Sequence, residues 1–335
     1  GCPFYSCNNG AVKRPGPFGC IKTCTFNSAT DGTHTVPEEG CKLETTLVPN
    51  GILRISGIKD ASPLHELAAP VTDRHIYADT RTQTEVYLSY LRLTGGVVLG
   101  TNKGGSIYIQ DNIVLDIKSC IFEGCHASNT WCTQEEGGSI YASSTNIGSK
   151  SDGIIIKILD TTFKGIRAKK DGGAIKLFDS RYGGHTDVLP STLSIESSTF
   201  EGMKADGNGG AIAVQISANA LINIISSTFD KCIAAAGGAL HVISNGGKRL
   251  NFNIKDSLFR DNEAVGQGGG AVAVAGTAML HLLGNTNIFT GNKAGAAYRQ
   301  SIDIGTQATI DIDFLTAPNE NLEKYVYSSN FNGYP

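Results

Sequence analysis

The chain has 335 residues, 40% of them hydrophobic and only 18% charged, with 41 glycines and a net charge of −3. That is enough for a large core, and no stretch is apolar enough to form a membrane-spanning helix. Lys and Arg are interspersed and form no basic stripe, which argues against nucleic acid as a partner.

The first 41 residues hold Cys2, Cys7, Cys20, Cys24 and Cys41, and residues 1–50 read as a cysteine-rich N-terminal cap. Spacings of C-x4-C and C-x3-C without histidines do not suit zinc, so a disulfide framework in an oxidising compartment is expected. The opening GCPFYSCNNG has the character of a processed end, and no Asn-x-Ser/Thr sequon occurs. O-linked sugars on Ser and Thr stay open. An opening strand is expected at GILRISGI, 51–58, followed by a more polar stretch over 59–81.

From about residue 85 to 298 the chain repeats. A phenylalanine followed by a glycine pair occurs as Phe122 with Gly137-Gly138, Phe163 with Gly172-Gly173, Phe200 with Gly209-Gly210, Phe229 with Gly237-Gly238 and Phe259 with Gly269-Gly270. Phe289 with Gly295 is a weaker copy, and Leu93 with Gly104-Gly105 extends the series upstream, giving seven units. A fixed period in this range marks a stacked architecture. After each glycine pair comes a short strand whose inward residues are Ile107/Ile109, Ile140/Ala142, Ile175/Leu177, Ile212/Val214, Leu240/Val242 and Val272/Val274. A second strand precedes each phenylalanine, with Val86/Leu88, Leu115/Ile117, Ile156/Ile158, Leu193/Ile195, Ile222/Ile224 and Phe252/Ile254 facing in. Before Phe289 the matching residues, Leu280 and Leu282, lie two positions further away, which predicts an insertion in that turn.

Units of this size cannot bury two one-faced strands alone, but coils of a parallel β-helix bury them on their neighbours at about 4.8 Å. The expected fold is therefore all-β: a single-stranded right-handed parallel β-helix of about seven to nine coils, with a disulfide-rich N-terminal cap. Each unit is read as two strands plus an inward phenylalanine. The glycine pairs are read as corners needing positive φ or close approach between coils. The helix is assigned to 51–314, closing in IDIGTQATIDIDF at 302–314, and residues 315–335 form a tail.

Cys120, Cys125 and Cys132 cluster in the first long coil and join the disulfide candidates, while Cys232, three coils beyond Cys125, is the candidate free thiol. The longest excursions, 125–136, 143–152 and 179–190, are where specificity is expected to reside.

GGAI at 172–175 and 209–212, GGAV at 269–272, FRDN at 259–262 and FTGN at 289–292 resemble the repeats of the chlamydial polymorphic outer membrane proteins. Similar repeats occur in predicted secreted β-helix proteins of protists and algae. The likeness covers about two thirds of the chain and implies the fold and a surface or adhesive role. FEGC at 122–125 and FKGI at 163–166 depart from it, and the membrane barrel of the bacterial proteins has no counterpart here.

Three sharper readings bear on function. A polysaccharide lyase or hydrolase site needs clustered Asp, Arg, Lys or His on one outer face; no NTD, GHG or RIK occurs, the histidines do not align, and only the 179–190 loop is a candidate. Asp303, Asp311 and Asp313 alternate with isoleucines and would bring carboxylates together for calcium, against the plainer account of a solvated face. Tyr108 and Tyr141 would be outer-face neighbours able to receive a sugar ring, although cross-strand stacking needs no ligand. No cofactor is expected. The resulting expectation is a non-catalytic, secreted or cell-surface structural protein, a fibre subunit or adhesin, that self-associates or meets carbohydrate or other surface proteins. A carbohydrate-binding or polysaccharide-degrading β-helix protein is the alternative. Tyr325, Tyr327, Phe331 and Tyr334 give the tail two options, folding over the last coil or docking on a neighbouring subunit, and the second is expected.

Overall fold

The computed structural model describes residues 5–6, 12–13, 20–24, 26, 32–70, 73–79, 83–98, 103–127, 136–145, 153–181, 189–245, 250–266, 268–284, 286–295, 301–305, 307–312 and 326–328. Among them there is no helix, hence none long and apolar enough to cross a membrane. The chain winds as a parallel β-helix whose coils contribute to four sheets of 12, 7, 9 and 10 strands. One coil shows the path: Leu250–Lys255 in the ten-stranded sheet, Leu258–Arg260 in the twelve-stranded sheet, Glu263–Ala264 in the seven-stranded sheet and Val272–Gly276 in the nine-stranded sheet. We call these the long-strand, phenylalanine, narrow and post-glycine sheets.

Each repeat thus has four strands, not two. The phenylalanine occupies a three-residue strand of its own, and a two-residue strand follows it. That last strand places Val98, Ala168, Ala205, Ala234 and Ala264 inward, each five residues after its Leu or Phe. The register is one-to-one between coils. Val86, Leu115, Ile156, Leu193, Ile222, Phe252, Leu280 and Ile310 form one continuous column in the long-strand sheet.

The phenylalanines pile on a common line. Rings from Phe122 through Phe163, Phe200, Phe229 and Phe259 to Phe289 stack at centroid distances of 4.8, 4.7, 4.8, 4.9 and 4.8 Å. Upstream the column continues as Leu93, Leu67 and Cys41. Before Phe289 the link between strands runs over 284–287 where the preceding coil uses 256–257, the expected insertion.

The two glycines of a pair do different work. In the pair before Ile212, Gly209 takes φ of 66°, whereas a Cβ on Gly210 would overlap the carbonyl oxygen of Gly238 in the next coil. A side chain is excluded at the first by conformation and by the Ile212 carbonyl of its own coil, and at the second by the neighbouring coil alone. The next position is fully buried and holds Ser106, Ser139, Ala174, Ala211, Ala239 and Ala271, with His75 at its upstream end.

Beside the phenylalanine stack runs an inward polar column that the repeat pattern did not disclose: Cys120, Thr161, Ser198, Ser227, Ser257 and Asn287. Each backbone N–H donates to the side-chain oxygen one coil on, as from Thr161 to Ser198 Oγ (3.1 Å) and from Ser198 to Ser227 Oγ (3.2 Å). Each hydroxyl donates in turn to a carbonyl of its own coil, as from Ser198 Oγ to Glu196 (2.8 Å). A second column, two residues into the following corner, ends in Cys232, Asn262 and Asn292. There Asn262 Oδ1 accepts from the Cys232 N–H (2.9 Å) and Asn262 Nδ2 donates to the Phe229 carbonyl (3.0 Å).

At the N-terminal end, residue 50 is no break. Gly32–Thr35 pairs in parallel with Ile52–Ser56, and Cys20–Cys24 with Cys41–Leu43, so these strands of the cysteine-rich segment already belong to the winding. The 59–81 stretch likewise supplies strands His65–Ala68 and Ile76–Asp79. Among the described residues antiparallel pairing is confined to the first three strands, Tyr5–Ser6 with Val12–Lys13 and Val12–Lys13 with Cys20–Cys24. A disulfide joins Cys24 to Cys41 across a Cα separation of 5.4 Å.

Cys120 and Cys125 correct the expectation of a disulfide cluster: both are free and buried, as is Cys232. They stand at column positions inside the coil corners, their sulfurs facing backbone carbonyls such as Lys118 (3.3 Å) and Leu93 (3.9 Å). Cys2, Cys7 and Cys132 lie outside the described residues, as does the side chain of Cys20. At the other end, Val326–Ser328 adds a strand to Ile302–Ile304. For these residues the tail takes the first of its two options, folding onto its own column.

Candidate functional site

The three long excursions enter or leave the post-glycine sheet: one leads into Ile140–Ser144, one departs from it, and one departs from Ile175–Asp179. Their central parts, 128–135, 146–152 and 182–188, lie outside the described residues. The outward column of this sheet runs Tyr77, Tyr108, Tyr141, Lys176, Ala213, His241, Ala273 and Asp303. A second row, just before the glycine pairs, holds Lys103, Glu136 and Asp171, tied by bonds from Gly104 N to Glu136 O and from Gly137 N to Asp171 O.

These rows interlock. Tyr77 stacks on Tyr108 at 5.0 Å and Tyr108 on Tyr141 at 5.5 Å. Both faces of Tyr108 are therefore covered, and Tyr141 is only 2% exposed. The pair expected to receive a sugar ring offers no open platform at Tyr108, because the third tyrosine completes the stack. The phenol of Tyr77 donates to Asp79 (3.1 Å) and that of Tyr108 to Gln110 (2.6 Å). Lys103 Nζ lies 4.4 Å from the Tyr141 ring centroid and donates to its hydroxyl at 2.7 Å. Glu136 takes both Lys103 and Lys170 at 3.3 Å, and the nearly buried Lys176 is paired with Asp171 at 2.9 Å.

Burial and these partners fix the charge states. Burial pushes Tyr108 up to about 12, helped by the neighbouring acidic groups, and also raises Tyr141. Burial would lift the Asp171 carboxyl, but Lys176 and the Asn208 N–H outweigh it and hold it below the usual range. Burial pulls Lys103 down, but Tyr141 and Glu136 leave it raised. His241 is lowered to about 4, chiefly by burial and against the pull of Asp171. At neutral pH each of these groups moves further into the charge state it already holds, which suits recognition better than proton transfer.

The other candidate residues are dispersed. Asp179, at the root of the 179–190 loop, is fully buried and clamped by Arg181 through Nη2–Oδ2 (2.7 Å) and Nε–Oδ1 (3.0 Å), with Ser191 Oγ donating to it at 2.7 Å. It anchors the loop. Asp303 pairs in register with Ala273 and Tyr327 in the post-glycine sheet, whereas Asp311 pairs with His281 in the long-strand sheet. A corner at 305–308 separates the two, so the expected alignment of carboxylates on adjacent rungs does not arise. Asp313 lies outside the described residues, as does the Asp311 side chain. Among the described residues no group of three His, Cys, Asp or Glu is arranged to hold a metal ion.

Comparison with protein-family models, with curated proteins and with solved structures gives no match.

Proposed function

We propose that this chain is a non-catalytic extracellular structural protein, a β-helical column that serves as a fibre subunit or an adhesin. The observation that carries the reading is the unbroken phenylalanine stack, flanked by polar columns and set in one hydrophobic core that runs from Cys24 to Ala308. Nearly every inward residue is spent on continuing the column. Nine strands in the post-glycine sheet at about 4.8 Å make a body roughly 40 Å long. The Cys24–Cys41 disulfide supports an oxidising, extracellular setting. The likeness of the repeats to those of the chlamydial surface proteins supports a surface role. Self-association through the ends of the column is part of this reading, since strand edges pair with other chains unless covered.

Electron microscopy of native material and light scattering across a concentration series test the proposal. Rods or filaments are expected, without release of new chain ends from acidic polysaccharides. Compact particles together with measurable cleavage would overturn it in favour of the enzyme. The charged and aromatic face of the post-glycine sheet favours carbohydrate binding as a second, compatible reading.

A further inference from the structure

We infer that the post-glycine sheet binds an anionic glycan, with Arg74 holding a carboxylate or sulfate oxyanion and Lys103 assisting it. The inference rests on the adhesive side of the reading above and names a ligand class for it.

Arg74 is 6% exposed, and its ion pair with Asp73 is a long one. Nη1 donates to the Lys103 carbonyl at 3.0 Å, and Nε stands 3.8 Å from Asp73, a half-exposed carboxylate beyond hydrogen-bonding distance. Its Cζ lies 5.4 and 5.3 Å from the Tyr77 and Tyr108 ring centroids. The rings orient the guanidinium without neutralising it. A largely buried cation normally acquires an anionic partner, and a guanidinium presents a planar fork of donors matched to a carboxylate or sulfate.

The neighbouring rung repeats the arrangement, with Lys103 over Tyr141. Glu136 is shared between Lys103 and Lys170, so around this carboxylate the cations outnumber the anions. An extended ligand fits better than a free ion because polar groups recur along the axis. Asp79, Gln110 and Ser143 occupy successive rungs of one row, with the tyrosine hydroxyls directed at the first two. A chain rich in hydroxyl groups finds partners at Asp79 and Gln110, whereas Ser143 is buried, and its acidic substituent meets Arg74. With the ring faces closed by stacking, recognition falls to charge and hydrogen bonds.

The test is affinity electrophoresis of the full chain in gels containing polygalacturonate, dextran sulfate or unsubstituted dextran. Retardation by an anionic polymer and not by dextran is expected, and which of the two acts tells carboxylate from sulfate. Arg74→Gln should weaken retention at least tenfold and Lys103→Gln several-fold. Lys118→Gln, which removes an exposed cation from the long-strand sheet, should leave retention unchanged. Circular dichroism identifies any loss due to unfolding, and Lys103→Gln still decides the matter if Arg74→Gln does not fold. No retention of the wild-type chain, or equal losses in Lys103→Gln and Lys118→Gln, overturns the inference. Rods still visible in the microscope would then leave the column reading standing.

Discussion

Phe200 sits fully buried in the middle of the stack, with rings at 4.7 Å on one side and 4.8 Å on the other. Truncating a buried phenylalanine to alanine costs about 3–5 kcal/mol, and each lost ring pair adds about 0.5–1.5 kcal/mol beyond the buried area. Phe200→Ala should therefore fall at the top of that range, about 5 kcal/mol. Phe289, at the end of the stack, has one ring partner and is only partly buried. Its replacement by alanine should cost about half as much. Guanidinium unfolding followed by circular dichroism gives both values, read as midpoint and slope because stacked repeats need not unfold as one unit. A double-mutant cycle sharpens the test. Phe200→Leu with Phe229→Leu, in contact, should couple by about 0.5–3 kcal/mol, whereas Phe122→Leu with Phe259→Leu, four coils apart, should add. Equal costs at Phe200 and Phe289, or additivity of the adjacent pair, would refute the account of the stack as a chain of nearest-neighbour contacts.

The glycine corners predict a contrast: Gly210→Ala, whose Cβ meets the Gly238 backbone, should prevent normal stacking, whereas Gly165→Ala, at φ of 59° in open space, should cost only about 1–2 kcal/mol in the same unfolding assay. Burial pushes Cys120, Cys125 and Cys232 up to about 12, 11 and 12, so these thiols should resist alkylation in the native chain and react fully in denaturant, as counted by mass spectrometry. His75 is fully buried between Ser106 Oγ (2.8 Å) and the Leu67 carbonyl (2.9 Å), and burial lowers it from 6.5 to about 4. Its folded value lies below its unfolded one, so the unfolded chain takes up the proton first and stability is lost as pH falls from about 6.5 to 4. The loss is about 3 kcal/mol at 1.36 kcal/mol per unit. Urea midpoints should drop across that window and drop less in His75→Gln; parallel curves for the two proteins would contradict the assignment.

What could be read before the structure follows from how a column is built. A residue that must stack on its own equivalent is held to one chemistry, which is why the phenylalanines and the isoleucine and leucine rows were visible. The narrow sheet escaped because two residues show no alternation, although the alanines five positions after each phenylalanine marked it. The polar column escaped for a different reason. Cys120, Thr161, Ser198 and Asn287 share a hydrogen-bonding role but not a residue type. Near the N terminus, Cys41 and Leu67 occupy the phenylalanine line without a phenylalanine, so the coil of the first was read as a cap and that of the second as a polar stretch. The charged face was illegible for want of register: Lys103 and Tyr141 are 38 residues apart and meet only when the rungs align.

The two polar columns also give the winding a direction. In the column beside the phenylalanines, Leu91 offers no side-chain acceptor, Cys120 offers a weak one, and Thr161, Ser198, Ser227, Ser257 and Asn287 offer oxygens. In the other, Cys125, Ile166, Met203 and Cys232 give way to Asn262 and Asn292. Both grow more strongly hydrogen-bonded towards the C-terminal end, where the last stacked ring is partly uncovered. At the N-terminal end, where these columns lack strong acceptors, the disulfide crosses between Cys24 and Cys41 at the head of the phenylalanine line. Each end is thus restrained by a different means: covalently at the N-terminal end, where the column beside the phenylalanines holds Leu91 and the buried His65, and by side-chain amides where no bridge is formed among the described residues. A column that must not unwind needs a restraint at both ends, because a stacked coil has a neighbour on only one side there.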